Sequence, residues 1–399
     1  MLILGIETSC DETAAAIIEG KNAGTQNFVS VRSNIVSSQI NIHKKYNGVV
    51  PEVAAREHVL NILPVINEAL EKAKIKRQDA AKKINAIAVS VGPGLITSLI
   101  VGIETAKVLS CAWDIPIVPI NHVEGHIYAN FIGANSKSEI LNSKHLPADM
   151  SADKAGKAGI PNPKSQIQNI EFPAIVLTVS GGHTMLILME GHGKYKTIGE
   201  TRDDAAGEAF DKAAKLMGIG YPGGPIAADY AEKFIEPSSR NSKFQITNNK
   251  QISKDKSKII LPRPMIHSNN YDFSFSGLKT ALLYELKKDK NWKKKIPEYC
   301  HEFQQSVIDV LIYKTIEAAK KYNIKTIMLT GGVAANKELR KQMKKAVKII
   351  IPNSLFLIPK LTYTTDNAVM IAAAGYFNAL DDKFINWQKL KVDPNLRLK

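Results

Sequence analysis

Cysteine is scarce: Cys10, Cys111 and Cys300 are the only thiols among 399 residues. They are scattered, odd in number and form no CxxC pair, which excludes a disulfide framework or a zinc–cysteine cluster as the basis of the fold. Such usage suits a reducing compartment. Long apolar runs are missing as well. No uninterrupted apolar segment reaches the roughly 18 residues that a membrane span requires. The longest candidate, Gly94–Trp113, carries Glu104 and Lys107 and is expected to be a buried helix. Met1–Ile6 reads directly as strand, without the charged and apolar leader of a signal peptide. The expectation is a soluble, cytoplasmic chain that does not engage a membrane. Acidic residues are in deficit, with 38 Asp and Glu against 53 Lys and Arg, giving a net charge of +15. That excess attracts polyanions and admits a nucleic-acid partner. General lysine enrichment, concentrated in Lys287–Lys295 and Arg240–Lys258, explains it equally well.

What is present fits a two-domain globular chain, with 44% hydrophobic and 23% charged residues. Two stretches interrupt it, 133–170 and 238–258, both rich in Ser, Lys and Asn and without apolar periodicity. Neither buries enough apolar area to offset its ordering entropy, so both read as insertions. The remainder repeats a pattern. A strand–turn–strand unit, Leu2–Ile18, has the polar tip Glu7–Thr13; a second unit, Ala174–Met189, has the tip Ser180–Thr184. Each is followed by a strand that enters a glycine turn and then a helix. The first runs from Ala86 through Gly92-Pro93-Gly94 into a helix over Leu95–Ala112; the second runs from Thr326 through Gly331-Gly332 into a helix over Val333–Ala346. Glycines there let a ligand approach the backbone, and the following helix N-terminus offers free N–H groups to an anion. The order predicts an α/β protein of two similar lobes around a nucleotide cleft, the actin-like and sugar-kinase architecture.

The sharpest local signal is Asn121-His122-Val123-Glu124-Gly125-His126. Histidines at i and i+4 share one face of a helix and can grip one metal ion. Glu124 follows His122 by two residues, roughly 200° around the helix, so it points away from such a metal and cannot serve as base on its water. That separates the segment from the zinc-peptidase signature. A third ligand is needed, and Asp366, just before the apolar run Ala368–Ala374, is the best candidate; the alternative is that Asp366 only caps that helix. Two histidines and a carboxylate with open positions suit Fe(II) or another first-row ion.

The stretches GIETSCDET from Gly5, VGPG from Val91, NHVEGH from Asn121, VSGGHT from Val179, DDAAGEAFDKAAKLMG from Asp203, YPGGP from Tyr221, FSFSGLKT from Phe273, TGGVAAN from Thr330 and TDNAVMIA from Thr365 carry a resemblance. In this order they resemble the TsaD/Gcp family of tRNA N6-adenosine threonylcarbamoyltransferases, from Met1 to about Phe377. The resemblance implies a two-lobed, duplicated ribonuclease-H-like (ASKHA) fold with a central cleft. Residues 1–132 would form the first lobe, completed by about 366–399, and 171–365 the second. It implies transfer of threonylcarbamoyl from threonylcarbamoyl-AMP to N6 of the adenosine just 3′ of the anticodon in ANN-decoding tRNAs, with release of AMP. By the same resemblance His122, His126 and Asp366 hold the metal, commonly iron (Fe2+) with zinc as the alternative. Thr178, Val179, Ser180, Gly181 and Gly182 form the substrate loop, and Asp211, Gly224 and Asn336 match further substrate positions. The implied partners are tRNA, a TsaB-like paralogue and a TsaE-like ATPase.

Chemistry adds two expectations. Backbone N–H groups of Ser180, Gly181 and Gly182 are placed to hold a phosphate or an oxyanion. Asp11 or Glu12, at the first hairpin tip, would take the proton from the attacking amine. Rival readings explain less. Other metal carbamoyltransferases of the hydrogenase-maturation or antibiotic type carry extra domains for which this chain has no room. A sugar kinase leaves the histidine pair without purpose, the position of Glu124 opposes a glycoprotease, and a nucleic-acid scaffold rests on charge alone.

Overall fold

The structure, a computed structural model, describes residues 1–23, 26–132, 170–234 and 259–399. The insertions expected at 133–170 and 238–258 therefore lie outside the described residues, apart from Ile170.

Two five-stranded sheets organise the chain. The first comprises β1 (Leu2–Glu7), β2 (Glu12–Ala23), β3 (Gln26–Ser38), β4 (Ala86–Gly92) and β5 (Ile117–Asn121) in the order β3-β2-β1-β4-β5. The first three strands pair antiparallel and the last two join in parallel. The second sheet comprises β6 (Ala174–Val179), β7 (Thr184–Gly191), β8 (Lys194–Glu200), β9 (Thr326–Thr330) and β10 (Leu355–Leu357). Its order, read as β8-β7-β6-β9-β10, and its pairing senses repeat the first sheet. The duplicated hairpin and glycine turn of the sequence are thus two copies of one topology, the actin-like two-lobed fold. The third strand of each copy, β3 and β8, is a finding of the structure. β8 has only Gly199 buried, so its residues carry no clear alternation to read.

The helices are α1 (Ile40–His43), α2 (Pro51–Lys72), α3 (Ala80–Lys83), α4 (Ile96–Trp113), α5 (His122–Tyr128), α6 (Ala206–Met217), α7 (Gly223–Glu232), α8 (Ser276–Lys288), α9 (Ile296–Lys321), α10 (Lys337–Ile350) and α11 (Ala368–Leu380). β4 is buried along its whole length, as a parallel strand covered on both faces must be. One face carries α11, whose Ala-rich sequence packs closely against Ile3, Ala88 and Val118. The other carries α2 and α4 through Leu4, Ile87, Ile62, Leu99 and Ile103. In the second lobe α6, α8, α9 and α10 bury their apolar sides against β6, β7 and β9. Between the lobes, Val123 and Ile127 of α5 pack on Ala174, Val176, Ile187 and Met328 of the second sheet. The short helix with the histidine pair therefore sits where the lobes meet.

Two expectations change. After Gly331 the chain makes a short 3-10 turn over Gly332–Ala335, and α10 begins only at Lys337. Gly331 lies at φ +91°, and a Cβ there would run into the carbonyl of Val179, so only glycine lets β9 end this close to β6. Helix α4 is only partly buried. It packs on β4 and α2, but just 33% of its apolar window is covered, and by length and composition alone it is long enough to cross a membrane. Its outer side exposes Ile96, Ile100 and Val108.

Candidate metal and acyl-transfer site

Asn121, the last residue of β5, caps α5: its Oδ1 accepts from the N–H of Val123 at 2.9 Å and of Glu124 at 3.4 Å. The helix therefore starts at His122, and one turn later His126 faces the same way. Asp366 arrives from the turn before α11. Its Oδ1 stands 3.2 Å from His126 Nε2 and 3.5 Å from His122 Nε2. The cap of α11 is not Asp366 but Asn367, whose Oδ1 accepts from the N–H of Met370 at 3.1 Å. That leaves the Asp366 carboxylate free to face the imidazoles. One donor atom from each of the three residues lies within 4.8 Å of the others.

Behind His122 stands a residue that motif reading passed over. Glu7, at the end of β1 and fully buried, accepts from His122 Nδ1 at 3.0 Å, from Ser90 Oγ and from the N–H of Ser9. The hydroxyl of Ser9 lies 3.1 Å from the same ring nitrogen. A carboxylate on Nδ1 fixes the tautomer and aims Nε2 at the Asp366 side, the usual arrangement of a ligating histidine. Burial opposes protonation of His122, but Glu7 and Asp366 outweigh it and push the ring up to about 9. Asp366 is held below the ordinary carboxylate range: burial works against this, and His122 and His126 prevail. His126 is completely buried, its Nδ1 has no hydrogen-bond partner among the described residues, and its Nε2 faces Asp366 without hydrogen-bond alignment. Three donors converging on one point, one of them otherwise unsatisfied, fit a first-row divalent cation.

His183, at the β6–β7 turn, was also overlooked. Burial first, then the neighbouring His122 and His126, lowers its ring to about 4, so it stays neutral beside the triad. Thr178 and Val179 end β6, buried, and the Thr178 hydroxyl has no partner among the described residues. The N–H of Ser180 is already used by the carbonyl of His183 at 2.7 Å, so Ser180 cannot offer it to a phosphate as expected. Gly181 and Gly182 remain exposed at the tip. Asp211 on α6 accepts from the N–H of Gly223 at 2.6 Å, next to Gly224 in the first turn of α7. Asn336 caps α10 through Leu339 N–H at 2.9 Å and donates to Gln304 Oε1 at 2.7 Å. Asp11 lies in the turn before β2 and Glu12 is the first residue of β2, accepting from Ser38 Oγ at 3.2 Å. Burial, then Asp11 and Asp366, raises the Glu12 carboxyl well above its ordinary value. Burial, then the nearby charges of Asp11 and Asp211, raises the Tyr221 phenol.

Comparison with known proteins adds the decisive observation: residues 30–141 and 157–373 match the family described as tRNA N6-adenosine threonylcarbamoyltransferase. The chain belongs to that family. A relative of that name from Dehalococcoides mccartyi is 45% identical over 383 residues, covering 96% of this chain and 95% of its own. One from Bacillus subtilis is 43% identical over 380 residues, covering 94% and 90%, and one from Thermosipho africanus is 41% identical over 401 residues, covering both chains in full. Among solved structures, T.kodakarensis HypF matches with a TM-score of 0.52 at 13% identity, across 96% of this chain and 48% of that one. The chain thus spans about half of HypF, and the likeness concerns the fold alone. Membership makes the protein an enzyme, an acyltransferase acting on tRNA, in a family that implies a metal cofactor.

Proposed function

We propose that the chain transfers threonylcarbamoyl from threonylcarbamoyl-AMP to N6 of the adenosine just 3′ of the anticodon in ANN-decoding tRNAs. The observation that carries this reading is the convergence of His122, His126 and Asp366, backed by Glu7, in a chain of this family. In the reaction the adenine amine attacks the carbamoyl carbon. A C–N bond forms, the carbon–oxygen bond to phosphate breaks, and AMP departs with the electron pair. When bound at the three ligands, a divalent ion supplies Lewis-acid polarisation of an acyl oxygen. Iron(II) is the ion that two histidines and one carboxylate favour, with zinc as the alternative.

The chain's own residues would hold the substrates. The Thr178–Gly182 loop would face the donor, with the unpartnered Thr178 hydroxyl and the exposed glycine tip as contacts. Asp211, Gly224 and Asn336 would line the nucleotide side; the structural bonds of Asp211 and Asn336 make them shapers of that wall as much as ligands. Glu12 or Asp11 would take the amine proton. A carboxyl raised by burial, as Glu12 is, lies nearer to the pKa that a base working around neutrality needs.

The two lobes are taken as 1–132 with 366–399, and 171–365. A cytoplasmic setting and the partners of the bacterial system, a TsaB-like paralogue and a TsaE-like ATPase, belong to the same reading. Exposed Val59, Leu60 and Leu63 on α2, beside Ile100 and Val108 on α4, form an apolar face suited to another protein's helices.

The test is a transfer assay with the partners, radiolabelled threonine, bicarbonate, ATP, the enzyme that makes the adenylate and an ANN-decoding tRNA. Label should appear as threonylcarbamoyladenosine in nucleoside digests and vanish in His122→Ala/His126→Ala. Absence of label with donor synthesis verified would refute the reading.

A further inference from the structure

Glu124 lies between the two histidines in sequence, yet it takes no part in the site described above. It is 7% exposed, and both of its oxygens are occupied. Oε2 accepts from Asn378 Nδ2 at 3.1 Å, on the last turn of α11. Oε1 accepts from the Tyr195 hydroxyl at 3.1 Å, on β8 of the second lobe. Asn378 is itself oriented by Lys383, whose Nζ donates to its Oδ1 at 3.1 Å. At Gly125 helix α5 crosses α11 so closely that a Cβ would stand 2.6 Å from Ile371 Cδ1. The histidines project on one side of this crossing, towards Asp366, and Glu124 on the other.

Helix α5 has seven residues, about two turns, and packs Val123 and Ile127 on the second sheet. Apolar packing is non-directional, so the finer roll about the helix axis is set by its hydrogen-bonded side chains. A roll of about 10° would move a histidine ring nitrogen by about 1 Å, given the helix radius and side-chain reach. Metal ligands tolerate displacements of only a few tenths of an ångström.

We propose that Glu124 is a positioning residue for the metal site: bonded to Asn378 and Tyr195, it locks the roll of α5 so that His122 and His126 meet Asp366. The lock rests on the metal-site reading above. Its two arms reach α11, which follows Asp366, and β8, so the ligand geometry is tied to the docking of the second lobe.

Cobalt(II) binding to the purified full chain, followed by its visible absorption bands and by competition with a chelator, tests the lock. Glu124→Ala should weaken binding by about 10- to 100-fold, the range seen when a ligand's support is removed. It should also alter the bands while circular dichroism stays native. In Glu124→Gln the amide oxygen still accepts from Asn378 and the NH2 donates to the Tyr195 oxygen, so binding should stay near wild type. Asn378→Asp alone sets two carboxylates against each other. The pair Glu124→Gln/Asn378→Asp restores a donor facing an acceptor, keeps Lys383 engaged, and should recover both affinity and spectrum. Wild-type affinity in Glu124→Ala, or failure of the pair to recover what Asn378→Asp lost, overturns the proposal while leaving the metal site intact. If His122→Ala binds cobalt as the wild type does, the metal-site reading fails, and the lock with it.

Discussion

At the residue scale the site is governed by competition for His122. Its ring is held by Glu7 on one side and faces Asp366 on the other, and the two carboxylates keep it protonated up to about 9 in the metal-free protein. A cation needs the unprotonated Nε2, so proton and metal exclude each other. Below about 9 the proton must be displaced, and metal affinity should rise about tenfold per pH unit, levelling off as the ring's own pKa is passed. Chelator competition across a pH series measures this, and a flat profile would contradict it. Glu7→Gln removes the charge that raises the ring. It should move the levelling-off to lower pH and lower the plateau affinity about tenfold. Glu7 was present in the GIETSCDET motif, but nothing in its spacing distinguishes it from Asp11 or Glu12. Only the pairing of β1 with β4, and of β4 with β5, brings it under His122.

At the scale of elements, caps decide where side chains are free. Asn367 caps α11 and so releases Asp366; Asn121 caps α5 and so starts the helix at His122. Asn336 does the same for α10, and its amide also reaches Gln304 on α9. Asn336→Ala should cost about 1 kcal/mol from the lost cap. That appears as a lower thermal midpoint, and a destabilisation well below this figure would show that the cap bond is not stabilising. The histidine pair, the glycine turns and the four hairpin strands were legible because each is a local pattern. The start of α10 was not: Gly331-Gly332 resembles any strand-to-helix turn, and the intervening 3-10 turn arises from the close approach of β9 to Val179.

At the scale of the whole molecule, two surfaces face outward from the chemistry. On α2 and α4, Leu60 is exposed at 68% and Val108 at 65%, the apolar side chains that the protein contact proposed above would cover. If the proposed TsaB-like paralogue docks there, Leu60→Glu with Val108→Glu should abolish its association, read by size-exclusion chromatography, while the thermal midpoint of the isolated chain stays unchanged. Persistent association would place the interface elsewhere. The net charge of +15 concerns the polyanion. Affinity for tRNA should fall steeply and linearly with salt on logarithmic axes, since each neutralised phosphate contact releases counterions. A salt-independent affinity would remove charge from the account.

The sequence by itself determined the histidine pair, which is a local pattern of self-contained spacing, and the family and two-lobed duplication, which are such local patterns repeated in order along the chain. That Asp366 faces the pair and leaves the cap of α11 to Asn367 was decided by the structure. The tertiary structure alone decided which groups support them. Glu7 lies 115 residues from His122, Glu124 lies 254 residues from Asn378, and Tyr195 approaches from the other lobe. Such partners carry no local signature, since hydrogen bonds between distant strands and helices depend on how the sheets and helices pack, and no window along the chain contains both ends of one.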